Sequence, residues 1–209
     1  MLLKLIICLL PFILLCILRL VITGSGNSGN QNSSMDDYLA NERKALYARN
    51  KDISGLELFT PCISSLPFSD QSASDSTLSA LEQKVLNSSK EPMLDLHHMS
   101  NADIKIAYGP ANFPLVSKYD QNYMYFTRDV FQWGRYLFDN NMHDKARIVL
   151  EYALELSKDM AGVYTMLAKI YIANDEIELI SGLIRLAGQS DMISRQSVCN
   201  SLRELINSY

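Results

Sequence analysis

The sequence predicts a mainly α-helical protein that begins with a transmembrane helix and ends in helical hairpin repeats. Its first 22 residues are almost all apolar, which is typical of a segment whose solvent is lipid. Its carboxyl-terminal part has apolar residues at helical spacing, and the stretch from about Thr127 to Ala187 matches itself at an offset of 34 residues. These observations divide the chain into an apolar start, a polar linker, an irregular helical region and a repeat domain.

Residues 1–23 are predicted to form a transmembrane signal-anchor. An apolar run from Leu5 to Leu18 lies between Lys4 and Arg19. Crossing about 30 Å of hydrocarbon takes about 20 helical residues, and the segment reaches that length if Arg19 extends toward the headgroups. The following residues carry no basic side chain as far as the end of the linker, which favours an extracytoplasmic body. A cleaved signal peptide, leaving a secreted protein, stays open as the alternative.

Residues 24–34, GSGNSGNQNSS, contain no apolar side chain and are predicted to form a flexible linker. Residues 35–121 are predicted to be an irregular region in which helical patterns alternate with glycine and proline. Two helices are expected there, over Met35–Asn50 and about Asp75–Leu86, and the stretch between them is expected to run extended over the body.

The end of this region, Glu91–Asp120, is predicted to be a turn-rich connector. Pro110 and Pro114 each bias the preceding residue away from the helical conformation. The connector also carries aromatic side chains that are expected to cover the exposed end of the repeats. They are Tyr108, Phe113, Tyr119 and Tyr123.

Residues 122–209 are predicted to form the repeat domain. Trp133 and Gly134 recur, 34 positions later, as Leu167 and Ala168. A large apolar residue beside a very small one lets two helices approach closely, so this pairing predicts packed hairpins. Five helices are expected, near 122–140, 142–157, 161–173, 175–187 and 191–207.

The pattern resembles the tetratricopeptide repeat in its large, small, and aromatic or leucine positions. These are Trp133, Gly134 and Leu137 in one copy and Leu167, Ala168 and Tyr171 in the next. The resemblance implies two helix pairs closed by a capping helix, and a concave groove lined by the first helix of each pair. By register the groove holds seven side chains, Arg128, Phe131, Arg135, Phe138, Thr165, Lys169 and Ile172.

Three of these side chains are cations and three are large and apolar, which suits a peptide that bears a carboxylate. The expected function is therefore a membrane-anchored adaptor or scaffold for protein–protein interaction. Its expected partners are another protein or peptide, itself associated with the membrane, and the bilayer through residues 1–23. A merely solvated helix face stays open as the alternative for the seven residues.

Composition and motifs argue against nucleic-acid binding and against catalysis. The chain has a net charge of −4, and the apolar start contains Lys4 and Arg19 but no acid, so the remainder is more acidic still. Affinity for nucleic acid comes mainly from clustered lysines and arginines. The sequence has no CxxC spacing, no nucleophile motif and no phosphate loop after a strand, so we predict no enzyme, no cofactor and no metal. A disulfide between Cys62 and Cys199 is left open.

Two other functions fit the sequence. The first is a structural subunit of a membrane complex, which would need its partners for stability. The second is a surface-held enzyme or substrate-binding protein, whose chemistry would come from Asp103, Asp120 and Asp129 if the fold brought these acids together.

Overall fold

The computed structural model describes residues 28–69 and 75–209, with the backbone alone for residues 28–34. This part of the chain is mainly α-helical, as predicted, and contains eight helices and no strand beyond one isolated bridge. The helices are α1 (Ser28–Leu46), α2 (Ser76–Ser88), α3 (Asn101–Tyr108), α4 (Phe113–Asp139), α5 (His143–Leu156), α6 (Ala161–Ala173), α7 (Glu178–Gly188) and α8 (Arg195–Ser208).

The predicted transmembrane segment, residues 1–23, lies outside the described residues. None of the eight helices that are described combines the length and the apolar character needed to cross a bilayer. The helix α1 begins at Ser28, before the predicted start at Met35, so part of the expected linker is helical. Extending an existing helix by one residue is much easier than nucleating one, so polar residues can join a helix without any apolar pattern to signal it.

The chain divides into two compact units. The described part of the first unit comprises residues 28–54 and 98–113 and contains α1 and α3. Its two chain segments are joined by the backbone hydrogen bond from Lys51 N to the carbonyl of Tyr108, at 3.2 Å. Next to it Gly109 adopts a φ of 94°, and a Cβ atom there would lie 2.3 Å from Cα of Asn50. Glycine is therefore required at this close approach.

The second unit contains α2 and α4 to α8, and its core is centred on α6. Helix α6 packs against α5, α7 and α8, and its bounds, Ala161–Ala173, are those predicted. The expected close approach of the first hairpin is present, because a Cβ atom at Gly134 would lie 2.8 Å from Cδ2 of Leu150. Trp133 beside it is fully buried.

Two helices overturn the prediction of a turn-rich connector over Glu91–Asp120: α3 forms within it, and α4 begins at Phe113 rather than near residue 122. Pro114 is the second residue of the helix. The first turn of a helix does not need the N–H group that proline lacks, and the fixed φ of proline suits a helix start. The proline therefore begins this helix, although the sequence pattern suggested that it would prevent one.

The cover over Trp133 comes from the stretch that was expected to run over the body, and not from the four aromatic residues expected in that role. An extended segment, residues 55–69, packs against α4 and places the ring of Phe68 4.7 Å from that of Trp133, in a stacked arrangement. The same segment places the ring of Phe59 edge-on against Tyr123, at 5.1 Å, and its backbone bonds to Met93. Of the four aromatic residues expected in this role, Tyr108 and Phe113 belong to the first unit.

Helix α2 completes this side of the core. Asp75 caps its amino terminus by accepting hydrogen bonds from the backbone N–H groups of Thr77 and Leu78, at 3.0 and 3.1 Å. The hydroxyl of Tyr136 on α4 donates to the same carboxylate at 2.7 Å. These bonds to the charged form lower the pKa of Asp75, with the bond from Tyr136 as the largest cause. The cap thereby ties α2 to α4.

Candidate functional site

The seven residues predicted to line a groove lie on two helices, α4 and α6. Their cations, Arg128, Arg135 and Lys169, are exposed to solvent. The other four residues are half-buried, either against the core of the second unit or beside that core. These half-buried residues are Phe131, Phe138, Thr165 and Ile172.

Phe131 is the residue through which the two helices meet at this surface. A Cβ atom at Gly162, in the first turn of α6, would lie 3.1 Å from Cζ of Phe131 and 3.7 Å from Cε of Met166. The ring therefore lies over a position that has no side chain, and a larger residue there would require the ring to shift by a few tenths of an ångström. Phe138 makes a different contact, edge-on to the ring of His143 at 5.4 Å.

The cations of the site differ in their partners. Arg135 lies 3.5 Å from Asp139 on the same helix, and both side chains are more than half exposed, so this pair contributes little to stability. The guanidinium of Arg128 lies over the ring of Tyr125, 4.9 Å from its centre. Within residues 28–69 and 75–209, neither Arg128 nor Lys169 forms an ion pair. These two cations are therefore available to an anionic group.

A pocket of about 390 Å³ lies between α4 and the turn that connects α5 to α6. This volume falls within the range of about 300 to 1,000 Å³ that is usual for ligand sites. Its walls are mostly apolar, with charged and polar groups among them. The lining residues are His97, Tyr123, Met124, Thr127, Arg128, Phe131, Leu156, Ser157, Asp159 and Met160.

Hydrogen bonds hold the wall formed by the α5–α6 turn. The hydroxyl of Tyr123 donates to the carbonyl of Leu156 at 2.7 Å, in a buried bond that ties α4 to the end of α5. Burial is the main cause that raises the pKa of Tyr123 to about 12. The hydroxyl of Tyr164 donates to the carbonyl of Lys158 at 2.8 Å. The turn is thus held by hydrogen bonds from two helices, α4 and α6.

A second hollow, of about 550 Å³, continues along α4 toward its amino terminus. It shares Met124 and Arg128 with the apolar pocket. Met124 and Tyr125 are 60% and 43% exposed, which leaves large apolar side chains in solvent along this helix. The candidate site is therefore a continuous surface, formed by the groove residues and the two hollows.

Sequence reasoning missed several residues of this surface, and one of them has a signal in the repeat. The offset of 34 residues places Gly162 opposite Arg128 in register, so the two copies have a glycine and an arginine at one groove position. Applying the register to Arg128 would have found Gly162. Met124 and Met160 have no such signal, because the fold alone brings them together in the pocket.

A network of charged side chains lies outside this surface and joins successive helices. Arg147 on α5 bonds to Glu151 at 2.9 Å and to Glu176 at 2.5 Å. The hydroxyl of Tyr171 donates to Glu151 at 2.9 Å. Burial and this hydrogen bond raise the pKa of Tyr171. These groups have partners within the fold, so they stabilise helix packing and are not assigned to the site.

The acids of the enzyme alternative have structural hydrogen bonds. Asp103 forms a capping box with Ser100 at the start of α3, which lowers the pKa of the carboxyl. Asp120 accepts from the backbone N–H of Leu96 at 3.0 Å. The third acid, Asp129, is half-buried on α4. Capping and backbone bonding thus account for two of the three carboxylates.

The described residues contain no group of three or more histidine, cysteine or acidic side chains that fits a metal ion. The exposed Cys62 and the buried Cys199 are both free thiols. The arrangement at the surface of α4 and α6 offers apolar contact and positive charge, which are means of binding.

The chain was compared with models of protein families, with curated proteins and with solved structures, and none of them matches it.

Proposed function

We propose that this protein is a membrane-anchored scaffold that binds a segment of another protein on the surface of α4 and α6. Helices α4 to α7 act as two tetratricopeptide-like pairs, with α8 as the capping helix. The observation that carries the proposal is the arrangement around Phe131. This ring lies over Gly162 and lines an apolar pocket beside Arg128, which has no ion-pair partner in the part of the chain that is described.

Aromatic and arginine side chains at the centre of a surface contribute most of the binding energy in many protein interfaces. The groove combines both types, with Phe131 and Phe138 as apolar contacts and Arg128 and Lys169 as exposed cations. The chain has a net charge of −4, so these cations are a local exception on an acidic protein. A partner segment with apolar and acidic side chains complements such a surface.

The apolar residues 1–23 would hold this scaffold at a bilayer. Confinement to the membrane raises the effective concentration of the groove toward other membrane-associated proteins without any new contact. A modest affinity for the partner segment is then sufficient, because both binding events occur in the same layer.

Peptide selection tests the proposal. Random peptides displayed on phage are selected against the full chain in phosphatidylcholine nanodiscs, and the affinity of selected peptides is measured by fluorescence anisotropy. The double substitution Arg128→Glu and Lys169→Glu should weaken binding at least about tenfold, since it replaces attraction by repulsion.

The matched control reverses two exposed arginines on α8, through Arg195→Glu and Arg203→Glu, and changes the net charge by the same amount. It should leave the affinity within about twofold. Selection that yields no binding peptide, or an equal loss of affinity in both double variants, would refute the groove as the binding surface.

A second candidate function is that of a structural subunit of a membrane complex. Exposed apolar side chains in the first unit favour it. Large apolar side chains along α1 and directly after it are exposed to solvent: Met35, Tyr38, Leu39, Leu46 and Tyr47. Their exposed fractions range from 44% at Leu39 to 89% at Tyr47. Clustered exposed apolar side chains are common where another protein docks.

The two functions differ in what holds the partner. In the structural subunit, substituting Leu39→Ser and Tyr47→Ser should release the chain from its native complex, as seen on native gels of solubilised membranes. In the scaffold, these substitutions should leave the complex intact, and Arg128→Glu with Lys169→Glu should release it.

A further inference from the structure

The pocket between α4 and the α5–α6 turn has the properties of a site for a single side chain. Tyr123, Met124, Phe131, Leu156 and Met160 supply its apolar walls. Aromatic rings and thioethers of this kind pack favourably around another aromatic ring. The volume of about 390 Å³ is at the small end of the usual range for ligand sites, which suits one large group rather than an extended chain.

Hydrogen bonds from α4, from α6 and from the turn between α7 and α8 hold the walls of the pocket. The bonds of Tyr123 and Tyr164 fix the turn from α4 and α6, and the backbone N–H of Asp191 donates to Asp159 at 3.1 Å. Phe131 is held against Gly162. A preformed wall reduces the loss of conformational entropy on binding, which favours the entry of an apolar group.

The lining of the pocket contains both a cation, Arg128, and a carboxylate, Asp159, and the two do not pair with each other. The carboxylate of Asp159 is engaged by the backbone of Asp191 rather than by Arg128. Arg128 rests on Tyr125, within the second hollow that borders the pocket. A guanidinium without a carboxylate partner, placed beside an apolar wall, attracts a ligand that carries an anionic group next to its apolar part.

We infer that the pocket accepts one aromatic side chain of the partner segment and that Arg128 binds an acidic residue adjacent to it. This inference rests on the proposed function and names the feature of the partner that the groove recognises. The aromatic ring contacts Phe131, Met124 and Met160, and the carboxylate lies at the rim on Arg128. The remaining groove residues on α6 contact the segment beyond this anchor.

The test uses 3-phenylpropionate, which joins an aromatic ring to a carboxylate, and its uncharged amide. The full chain, labelled with ¹³C at methionine methyl groups and held in phosphatidylcholine nanodiscs, is titrated with each probe by NMR. Met124 and Met160 should shift, and Met142 and Met192, which do not line the pocket, should not. The acid should bind about threefold more tightly than the amide, as expected for a solvent-exposed ion pair.

Two variants separate the ring from the charge. Arg128→Gln should abolish the difference between acid and amide, and Met124→Glu should abolish the shift of Met160 by both probes. Met124 is 60% exposed, so the variant is expected to fold, and Ile148→Glu on α5, at a residue 43% exposed, is the matched control that keeps binding. Equal affinity of acid and amide for the wild type, or shifts that spread to Met142 and Met192, would overturn the inference.

The peptides selected on the groove distinguish this inference from the function on which it rests. Peptides that bind and share an aromatic residue next to an acid support both. Peptides that bind and lose affinity in the Arg128→Glu and Lys169→Glu variant, but show no such pair, overturn the inference and leave the scaffold in place. Specific binding of 3-phenylpropionate with no selected peptide supports the pocket and contradicts the scaffold.

Discussion

Helix α4 carries two aromatic residues of similar character whose surroundings differ. Trp133 is fully buried and is stacked under Phe68 of the extended segment 55–69. Phe131, two residues earlier, is only half-buried and lines a pocket that no segment of the described chain fills. The chain thus covers the apolar face of α4 at Trp133 and leaves the face at Phe131 accessible. We therefore expect the covered face to stabilise the fold, and we propose the accessible face as the binding surface.

Trp133, on the covered face of α4, is the position at which a substitution should cost the most stability. Trp133→Ala should lower the free energy of unfolding by about 3 to 5 kcal/mol, because it removes a fully buried ring and leaves a cavity. Denaturant unfolding of the full chain, followed by circular dichroism at 222 nm, measures this loss. Phe131→Ala should cost less than half as much, and an equal cost for the two substitutions would contradict the division of the two faces.

Two glycines on different helices of the second unit test how closely those helices pack. A Cβ atom at Gly134 would meet Leu150 at 2.8 Å, whereas at Gly182 on α7 it would meet nothing within 4 Å. Both Gly→Ala substitutions gain about 1 kcal/mol of helix propensity, so the difference between them isolates the clash. We expect Gly134→Ala to be less stable than Gly182→Ala by about 1 to 3 kcal/mol in urea unfolding. Equal stabilities would mean that α4 and α5 separate easily.

Tyr123 connects the two faces, because it packs under Phe59 and bonds to Leu156 at the pocket wall. Tyr123→Phe should cost about 1 kcal/mol at pH 8, the usual contribution of one hydrogen bond. Peptides that use the pocket should also bind less tightly to this variant, because the turn is less well held. A variant as stable as the wild type would show that the bond does not hold the turn.

The burial of tyrosine side chains makes the stability of the fold depend on pH. The pKa of Tyr123, Tyr152 and Tyr164 is raised from 10.0 to about 12, mainly because burial disfavours the charged phenolate. A raised folded-state pKa contributes stability that is fully present below pH 10 and is lost as the pH rises through about 12. Urea unfolding between pH 9 and about 12 should show this decline, and the decline should be shallower in Tyr123→Phe. An equal decline in the variant and the wild type would mean that Tyr123 has the same pKa in the folded and the unfolded protein.

Much of this helical fold could be predicted from the sequence, because the signals are local. The spacing of apolar residues gave α6 its correct bounds, and the small residue Gly134 indicated the close contact with α5. The cover over Trp133 could not be predicted, since Phe68 is far from it in sequence and no period relates them. Pro114 misled the prediction because the same residue can prevent a helix or begin one.

The candidate site was predictable only in part, for the same reason. Register alone placed the seven groove residues on α4 and α6. It gave no sign that Arg135 pairs with Asp139 whereas Arg128 pairs with no acid in the described chain. Nor did it indicate that Met160 faces α4 across a pocket. The pair Arg135–Asp139 is four residues apart on one helix and could have been read from the local sequence. The shape of the pocket depends on contacts between distant segments, and a repeat period carries no information about them.

Arg128, at the edge of the accessible pocket, should contribute least to stability. Arg128→Gln should change the free energy of unfolding by less than about 0.5 kcal/mol, because the side chain is exposed. Its effect should appear in the salt dependence of binding. Raising the ionic strength from 0.05 to about 0.5 M should weaken the binding of acidic peptides to the wild type more than to Arg128→Gln, since salt screens exposed charges. Parallel salt dependence, measured by fluorescence anisotropy, would show that Arg128 does not contact the acid. The open face would then bind through its apolar pocket alone.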